Sequence, residues 1–343
     1  MSLIHLFRKQ NRKTLFTTPS HGQKFFIFHK FMQFYKHDIS ETDAHDPVKA
    51  LTIAENKAAQ IYGTKYTKFL TNGSTSGIIA AILACVNKDE KVLLWKNAHP
   101  CHLNAVKLAG GCPVFYDVPQ IEDWGIPKAV TAEMLERYFQ NNKIKAVIIT
   151  SPTYEGMVTD IKKIKTLCEK NSAKLIVDEA HGALYPFSDR LPESAVKIAD
   201  FCIQSLHKTA GGLNPTALLH SNSLPPETAL QMINTTSPSY PLLATIEANI
   251  NFLNSQRGKN ILNKLLDNIE TIKNTANCEF FGDDITKINI KKTGMTGYEL
   301  SEKLFDKFNI EDERTNEKST MLLCGIGTDE KKILKLKNAL QKL

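Results

Sequence analysis

The sequence predicts an α/β fold in which a mostly parallel, seven-stranded sheet covered by helices is followed by a small C-terminal α+β domain. Three observations lead there. Short apolar runs alternate with amphipathic helical patterns as far as residue 220, the pattern of parallel strands joined by crossover helices. Pro225-Pro226 and Ser237-Pro238-Ser239 interrupt that alternation, and 240–275 then has the period of one or two long helices. From residue 285 onward the order reads β-α-β-β-α.

The elements follow in order. Asp46 to Tyr62 is helical, with Pro47 suited to a first turn. Strands are expected at Lys68–Thr71, Lys91–Trp95, Pro113–Tyr116, Ala146–Thr150, Lys174–Asp178, Phe201–Gln204 and Ala217–His220. Helical patterns near 75–86, 101–109, 131–141 and 160–171 lie between the earlier ones. The C-terminal unit comprises Ile285–Ile290, Thr296–Phe308, Ile310–Arg314, Thr320–Cys324 and Asp329–Leu343. The expected division is an N-terminal arm over 1–45, a large domain over 46–255 and a small one over 256–343.

The 343 residues are 42% hydrophobic and 23% charged, the composition of a globular chain with a sizeable core. Lys and Arg exceed Asp and Glu, 43 to 36, but the excess is scattered lysine. The densest basic stretch, Arg8 to Lys13, reads as a solvated tail, so nucleic acid is not an expected partner. Seven cysteines without a C-x-x-C pair argue against a disulfide framework, and no His/Cys spacing suits a metal. No apolar run approaches the roughly 20 residues that span a bilayer, so no membrane is expected, and the cytoplasm is the expected compartment.

Three features carry chemistry. The strand ending at Thr71 runs through Asn72-Gly73-Ser74-Thr75-Ser76-Gly77 into a helix, so a hydroxyl cluster lies at a helix N-terminus, where free amides and the helix dipole favour an anion. Alone, Ser74 or Thr75 reads as an N-cap. The strand Lys174–Asp178 ends in an acid that a parallel sheet delivers to its C-terminal crevice, although an isolated Asp178 reads as a buried cap or ion-pair partner. The strand Phe201–Gln204 is followed by Ser205-Leu206-His207-Lys208, and partial burial of Lys208 would make its amine a nucleophile toward carbonyls. Together the three fit one cofactor, pyridoxal phosphate. The helix N-terminus would take its phosphate, Asp178 its ring nitrogen, and Lys208 its aldehyde as a Schiff base.

The chain also resembles the Orn/Lys/Arg decarboxylases, within the aspartate-aminotransferase-like fold of pyridoxal-phosphate enzymes. The resemblance rests on Phe69 to Gly77, Ile149-Thr150-Ser151-Pro152-Thr153-Tyr154, Val177-Asp178-Glu179-Ala180-His181-Gly182-Ala183, Gln204-Ser205-Leu206-His207-Lys208-Thr209 and Thr235-Thr236-Ser237-Pro238-Ser239-Tyr240. It implies that Ser74, Thr75 and Ser76, with Ser205 and His207, hold the phosphate, and that Thr153 lies on the cofactor. It further implies that His99 stacks on the ring, that His181 lies near the ring's exposed side, and that Lys208, Asp178, His99 and His181 form the catalytic set. Thr236 and Ser237 resemble a segment contributed by a neighbouring subunit, which implies a homodimer with shared sites. The implied reaction is decarboxylation of lysine, ornithine or arginine to the amine.

The chain departs from the family's usual pattern at Thr18-Pro19-Ser20-His21-Gly22-Gln23-Lys24, at Glu155, where an aromatic is common, and at Ala210-Gly211-Gly212-Leu213-Asn214-Pro215. Glu155, Glu311, Asp312, Glu313 and Glu317 are candidate anions for the substrate's distal cation, and Arg314 is a candidate partner for a carboxylate. Two other readings are a sister pyridoxal-phosphate aminotransferase or lyase, and a non-catalytic binding module that keeps the fold.

Overall fold

A computed structural model of the chain describes residues 14–17, 46–275 and 277–343. The basic stretch 8–13, the segment 18–24 and most of the expected N-terminal arm lie outside the described residues. Along the chain run β1 (Thr14–Leu15), α1 (Pro47–Tyr62), β2 (Tyr66–Leu70), α2 (Gly73–Cys85), β3 (Lys91–Trp95), α3 (Pro100–Leu108) and β4 (Cys112–Tyr116). A short hairpin, β5 (Gln120–Ile121) and β6 (Ile126–Pro127), precedes α4 (Ala132–Asn141), β7 (Ile144–Thr150), α5 (Ile161–Lys170) and β8 (Lys174–Asp178). Next come β9 (Phe201–Ser205), the single turn α6 (Leu206–Thr209), β10 (Ala217–Ser221), α7 (Glu227–Ile233), α8 (Tyr240–Asn254) and α9 (Gln256–Thr275). Last come β11 (Glu279–Phe281), β12 (Lys287–Lys291), α10 (Gly297–Phe308), β13 (Ile310–Glu311), β14 (Arg314–Thr315), β15 (Thr320–Leu323) and α11 (Glu330–Lys342).

The large sheet has the order β2-β10-β9-β8-β7-β3-β4. β10 runs antiparallel to both neighbours, and the remaining pairs are parallel. Its central strands β7, β8, β9 and β10 are buried along almost their whole length because both faces are covered, whereas the edge strand β4 is largely exposed. The period of two divides them cleanly. Val147, Ile149, Leu175 and Val177 enter the core that also holds Ile246 and Ile250 of α8 and Leu266 of α9, whereas Ala146, Ile148, Ile176 and Ile203 face α2 and α3. Gly77 lets α2 lie close on the sheet: a Cβ there would meet Ile203 Cγ2 and Leu70 Cδ1 at 2.9 Å each.

The second sheet, β11-β12-β15-β14, is antiparallel. A strap of residues 14–17 joins it to the opposite end of the chain. β1 pairs in parallel with β13, Leu323 N donates to Phe16 O at 2.8 Å, and Lys335 Nζ donates to Thr14 Oγ1 at 2.7 Å. No helix among the described residues is long and apolar enough to cross a membrane.

The structure differs from the sequence reading in several places. The expected strand Ile310–Arg314 divides into β13 and β14, which join different sheets. Asp312 stands between them, and its carboxylate accepts from Ser301, Thr315 and Thr320 hydroxyls, which turns the chain out of one ladder into the next. The stretch 240–275, expected as one or two long helices, is two, broken at Ser255, whose hydroxyl accepts from Gly258 N at 3.1 Å, and here the reading holds. β1, the β5–β6 hairpin, α7 and β11 carry too little periodicity to be read from sequence; α7 begins directly after Pro226.

Substitution of Gly77 by Val is expected to lower unfolding free energy on the order of 2–3 kcal/mol by overpacking this contact, read as a lower urea midpoint with unchanged slope; an unchanged midpoint would show that α2 has room to move.

Candidate active site

Because β2, β3, β7, β8 and β9 share one direction, their C-terminal ends open along one edge of the sheet. That edge is where ligands bind in open α/β sheets. The chain leaves β2 there into the N-terminus of α2, β3 into His99 and α3, β8 at Asp178, and β9 into Ser205 and Lys208.

Asp178 shares a face with Ile176, the face covered by α3, and is 6% exposed. From α3 the fully buried His102 reaches it, Nε2 to Oδ2 at 2.8 Å. A carboxylate only accepts, so His102 Nε2–H is the donor. Ala180 N donates to the other carboxylate oxygen at 3.1 Å. Burial alone would raise the Asp178 pKa, but the His102 bond, the charges of His102 and Lys208 and the Ala180 amide outweigh it, and the carboxyl sits below its ordinary value. His102 was not singled out in the sequence, although its spacing of three from His99 at a helix start places both near one crevice.

Lys208 lies part-buried in α6, with Nζ 3.1 Å from His181 Nε2. Burial lowers its pKa, Asp178 opposes this, and Lys287 adds to the lowering. His181 is 4% exposed and is driven well below the usual imidazole range by burial, then by Lys208, Lys287, His207 and Arg314. The Tyr154 ring lies 4.7 Å from the His181 ring. Its hydroxyl donates to Glu313 at 2.5 Å, and Arg314 lies 5.0 Å over its face. Glu155 is buried and paired with Arg314 at 3.2 Å.

The helix N-terminus forms at the hydroxyl cluster but starts at Gly73, with Asn72 at the cap position and no side-chain cap bond, so neither Ser74 nor Thr75 is the N-cap and both lie in the first turn. Gly73 N donates to Pro215 O at 2.8 Å, the first turn carries Ser74 and Thr75, and Ser76 Oγ turns back to Gly73 O at 2.9 Å. Thr75 interacts with the Cys101 thiol, which burial pushes up to about 12. His99 is the N-cap of α3, where its Nδ1 accepts from Cys101 N at 3.3 Å. His207 Nδ1 donates to Thr216 O at 3.0 Å. The structure thus gathers Ser74, Thr75, Ser76, His99, Asp178, His181, Ser205, His207 and Lys208 along one edge. Thr153 does not join them through its hydroxyl, which accepts from Met157 N at 3.1 Å within its own loop. Thr236 and Ser237 are exposed in the loop before α8, where Ser237 N donates to Thr235 Oγ1 at 3.2 Å.

Buried polar atoms without a partner among the described residues stand along this edge, Ser205 Oγ, His102 Nδ1 and His181 Nδ1 among them. Each group left without a partner costs about 1–3 kcal/mol, and a ligand or an ordered water that bonds to it removes that cost.

Glu179, next to Asp178, supports the crevice from behind by accepting from Ser194 Oγ, Ala195 N and Gln204 Nε2. Burial raises its pKa to about 7. The folded state therefore holds this proton longer than the unfolded chain does, and stability falls as pH rises from about 4.5 to about 7, by about 3 kcal/mol. Urea midpoints of the Glu179→Gln variant across this range are expected to fall less steeply than those of the parent; parallel curves would remove Glu179 as the titrating group. Asp178 has the opposite sign: its contribution is present above about pH 4 and is lost as pH falls through its depressed folded value. His102→Leu is expected to lower stability at pH 7 by about 3 kcal/mol by leaving this buried carboxylate without its imidazole partner, with the deficit vanishing in acid; a pH-independent deficit would mean lost packing alone.

The model of the family described as "Orn/Lys/Arg decarboxylase, major domain" matches residues 5–290. An arginine decarboxylase of Halalkalibacterium halodurans is 28% identical over 326 residues, 88% of this chain and 66% of that protein. The chain thus spans just under two thirds of that curated relative's length. Among solved structures, the constitutive lysine decarboxylase of E. coli superposes with a TM-score of 0.79 at 19% identity, covering 92% of this chain and 55% of that one. A ureidoglycine-glyoxylate aminotransferase of Bacillus subtilis gives 0.71 at 12% identity, covering 96% and 92%. At such identities the structural likeness speaks to the fold, an aminotransferase-like one. On the extent of the family match, this chain belongs to the Orn/Lys/Arg decarboxylase family.

Proposed function

We propose that the chain holds pyridoxal phosphate and decarboxylates a basic amino acid, lysine, ornithine or arginine, to the corresponding amine. The observation that carries this reading is the pairing, at the ends of β8 and β9, of a buried ionised carboxylate with a part-buried amine of lowered pKa. The residues fit the cofactor: Ser205 Oγ is a buried hydroxyl without a partner, and α2 offers the amides and hydroxyls of Ser74 and Thr75 at its N-terminus. Ser74, Thr75, Ser76, Ser205 and His207 would hold the phosphate, His99 would lie on the ring, Asp178 would hold the ring nitrogen, and Lys208 the aldehyde. When bound, the cofactor supplies an electron sink for the bond that breaks at the substrate's α-carbon.

The chain's own groups do the rest. The fixed negative charge of Asp178, itself held by His102, keeps a proton on whatever nitrogen it meets. Burial keeps part of the Lys208 amine neutral and therefore nucleophilic. His181 Nε2, at 3.1 Å, is in reach to accept or return a proton at Lys208 Nζ. Of the acids considered for the distal cation, Asp312 is taken up by three hydroxyls and Glu155 by Arg314. Glu313, beside Tyr154, exerts its charge on Lys208, which supports a cationic substrate. The exposed Thr236 and Ser237 are read as residues lent to a neighbouring copy's phosphate site in a cytoplasmic homodimer.

Purified protein supplied with pyridoxal phosphate is expected to gain a visible absorbance band and to release carbon dioxide from lysine, ornithine or arginine. Lys208→Ala should lose the band and all turnover, and Asp178→Ala should lose about 10²–10³-fold in rate. Carbon dioxide release by Lys208→Ala, or a keto acid in place of the amine, would refute the assignment.

A further inference from the structure

β12 presents two faces. Ile288 and Ile290 enter the core, whereas Lys287 and Asn289 point toward the crevice loops, and both are buried. Asn289 Nδ2 donates to Glu155 O at 2.8 Å. Lys287 has no exposed side-chain surface, and its Nζ donates to Asp284 Oδ2 at 2.7 Å and to the backbone oxygen of His181 at 3.0 Å. Asp284 is clamped in turn by Tyr185 OH at 2.8 Å and by Thr286 N and Oγ1 at 2.8 and 2.7 Å. The surrounding backbone is shaped around this pair. Gly156 has φ +90, where a Cβ would lie 2.9 Å from Lys287 Cβ and Cγ, and its carbonyl accepts from Asp284 N at 3.1 Å. A lysine with no exposed surface is rare and needs a reason.

We infer that Lys287, held by Asp284, is a positioning residue of the site: from the second sheet it fixes the His181 loop against Lys208, with its ion pair to Asp284 standing behind the crevice. This rests on the reading of Lys208 as the reactive amine. Around Lys208 stand Asp178 from β8, His181 from the loop after it, His99 and Cys101 from the start of α3, His207 in its own turn, Glu313 before β14 and Lys287 from β12. Burial is the largest influence on its amine and lowers its pKa; Lys287 acts in the same direction, and Asp178, Cys101 and Glu313 oppose it. Lys287 thus keeps more of the amine neutral while holding in place the imidazole that exchanges its proton.

The test is reductive methylation of the full chain without cofactor, by formaldehyde and cyanoborohydride over a pH series, with labelled lysines located by peptide mass. The midpoint of each labelling curve is read, because burial changes its amplitude. In the parent, Lys208 should reach its midpoint below the exposed Lys57, and Lys287 should stay unlabelled while the chain is folded. Lys287→Met leaves Asp284 without its cation and is expected to be unstable; the double variant Asp284→Asn, Lys287→Met removes both charges. In that variant, with circular dichroism unchanged, the Lys208 curve should move up until the neutral fraction at fixed pH falls about threefold, roughly half a pH unit. A folded double variant with an unmoved Lys208 curve would make the pair purely structural and overturn the inference. Should no variant fold, a parent Lys208 midpoint at or above that of Lys57, or ready labelling of Lys287, overturns it equally. Neither cofactor nor turnover enters this readout, so a missing decarboxylase activity and a missing shift are told apart.

Discussion

A negative charge buried at the end of a central strand is the constraint around which the crevice is built. Asp178 stays ionised out of water because donors reach it, the imidazole of His102 and the amide of Ala180, and because the charge of Lys208 lies near. That requirement sets the placement of α3, whose first turn must pack on the even face of β8 close enough for a histidine to arrive. It also explains why Gly182 follows so soon: a Cβ there would stand 2.6 Å from the Glu179 side chain that braces the same turn. Moving β8 by one residue would send Asp178 to the other face and away from His102.

The charges gathered beside it are of both signs and nearly balanced, Lys287 being paired with Asp284. Lys208, Lys287 and Arg314 approach from three elements, with the low-pKa imidazoles of His181 and His207 between them. Asp178, Glu155 and Glu313 answer them locally, and Glu155 is already joined to Arg314. A crevice with low-dielectric walls strengthens each of these charges at short range, so what it offers a ligand is set by position, group by group, and not by a net sign. Asp178, Glu155 and Lys287 are charges that the fold removes from water, whereas Arg314 keeps about half of its side chain in solvent.

Much of this is legible in the sequence. The strands of the large sheet stand out as short runs rich in apolar residues, most clearly in β7 and β8, and Asp178 and Lys208 are conspicuous because each ends or follows such a run. Ser205 and His207 come with Lys208. His102 is not legible, since a histidine in the first turns of a helix looks the same whether it meets solvent or a carboxylate. Lys287 is less legible still. In Lys287-Ile288-Asn289-Ile290 the alternation reads as a half-exposed strand, and only the packing of the 153–157 loop shows that the polar side is covered too. The short pairings β1–β13 and β5–β6 depend on partners remote in sequence or on two-residue strands, which no local pattern announces.

The strap formed by residues 14–17 bears on how the chain is made. Its partners on β13, β15 and α11 lie about three hundred positions downstream, so during synthesis at roughly 5–20 residues per second the strap waits tens of seconds for them to leave the ribosome. Phe16, 1% exposed once packed, spends that interval with its ring in water. Contacts this distant also raise contact order and slow the search for the native pairing. The second sheet, and with it Lys287, is therefore completed late, so that the crevice is assembled in full only after the large sheet has set the positions of its strand ends.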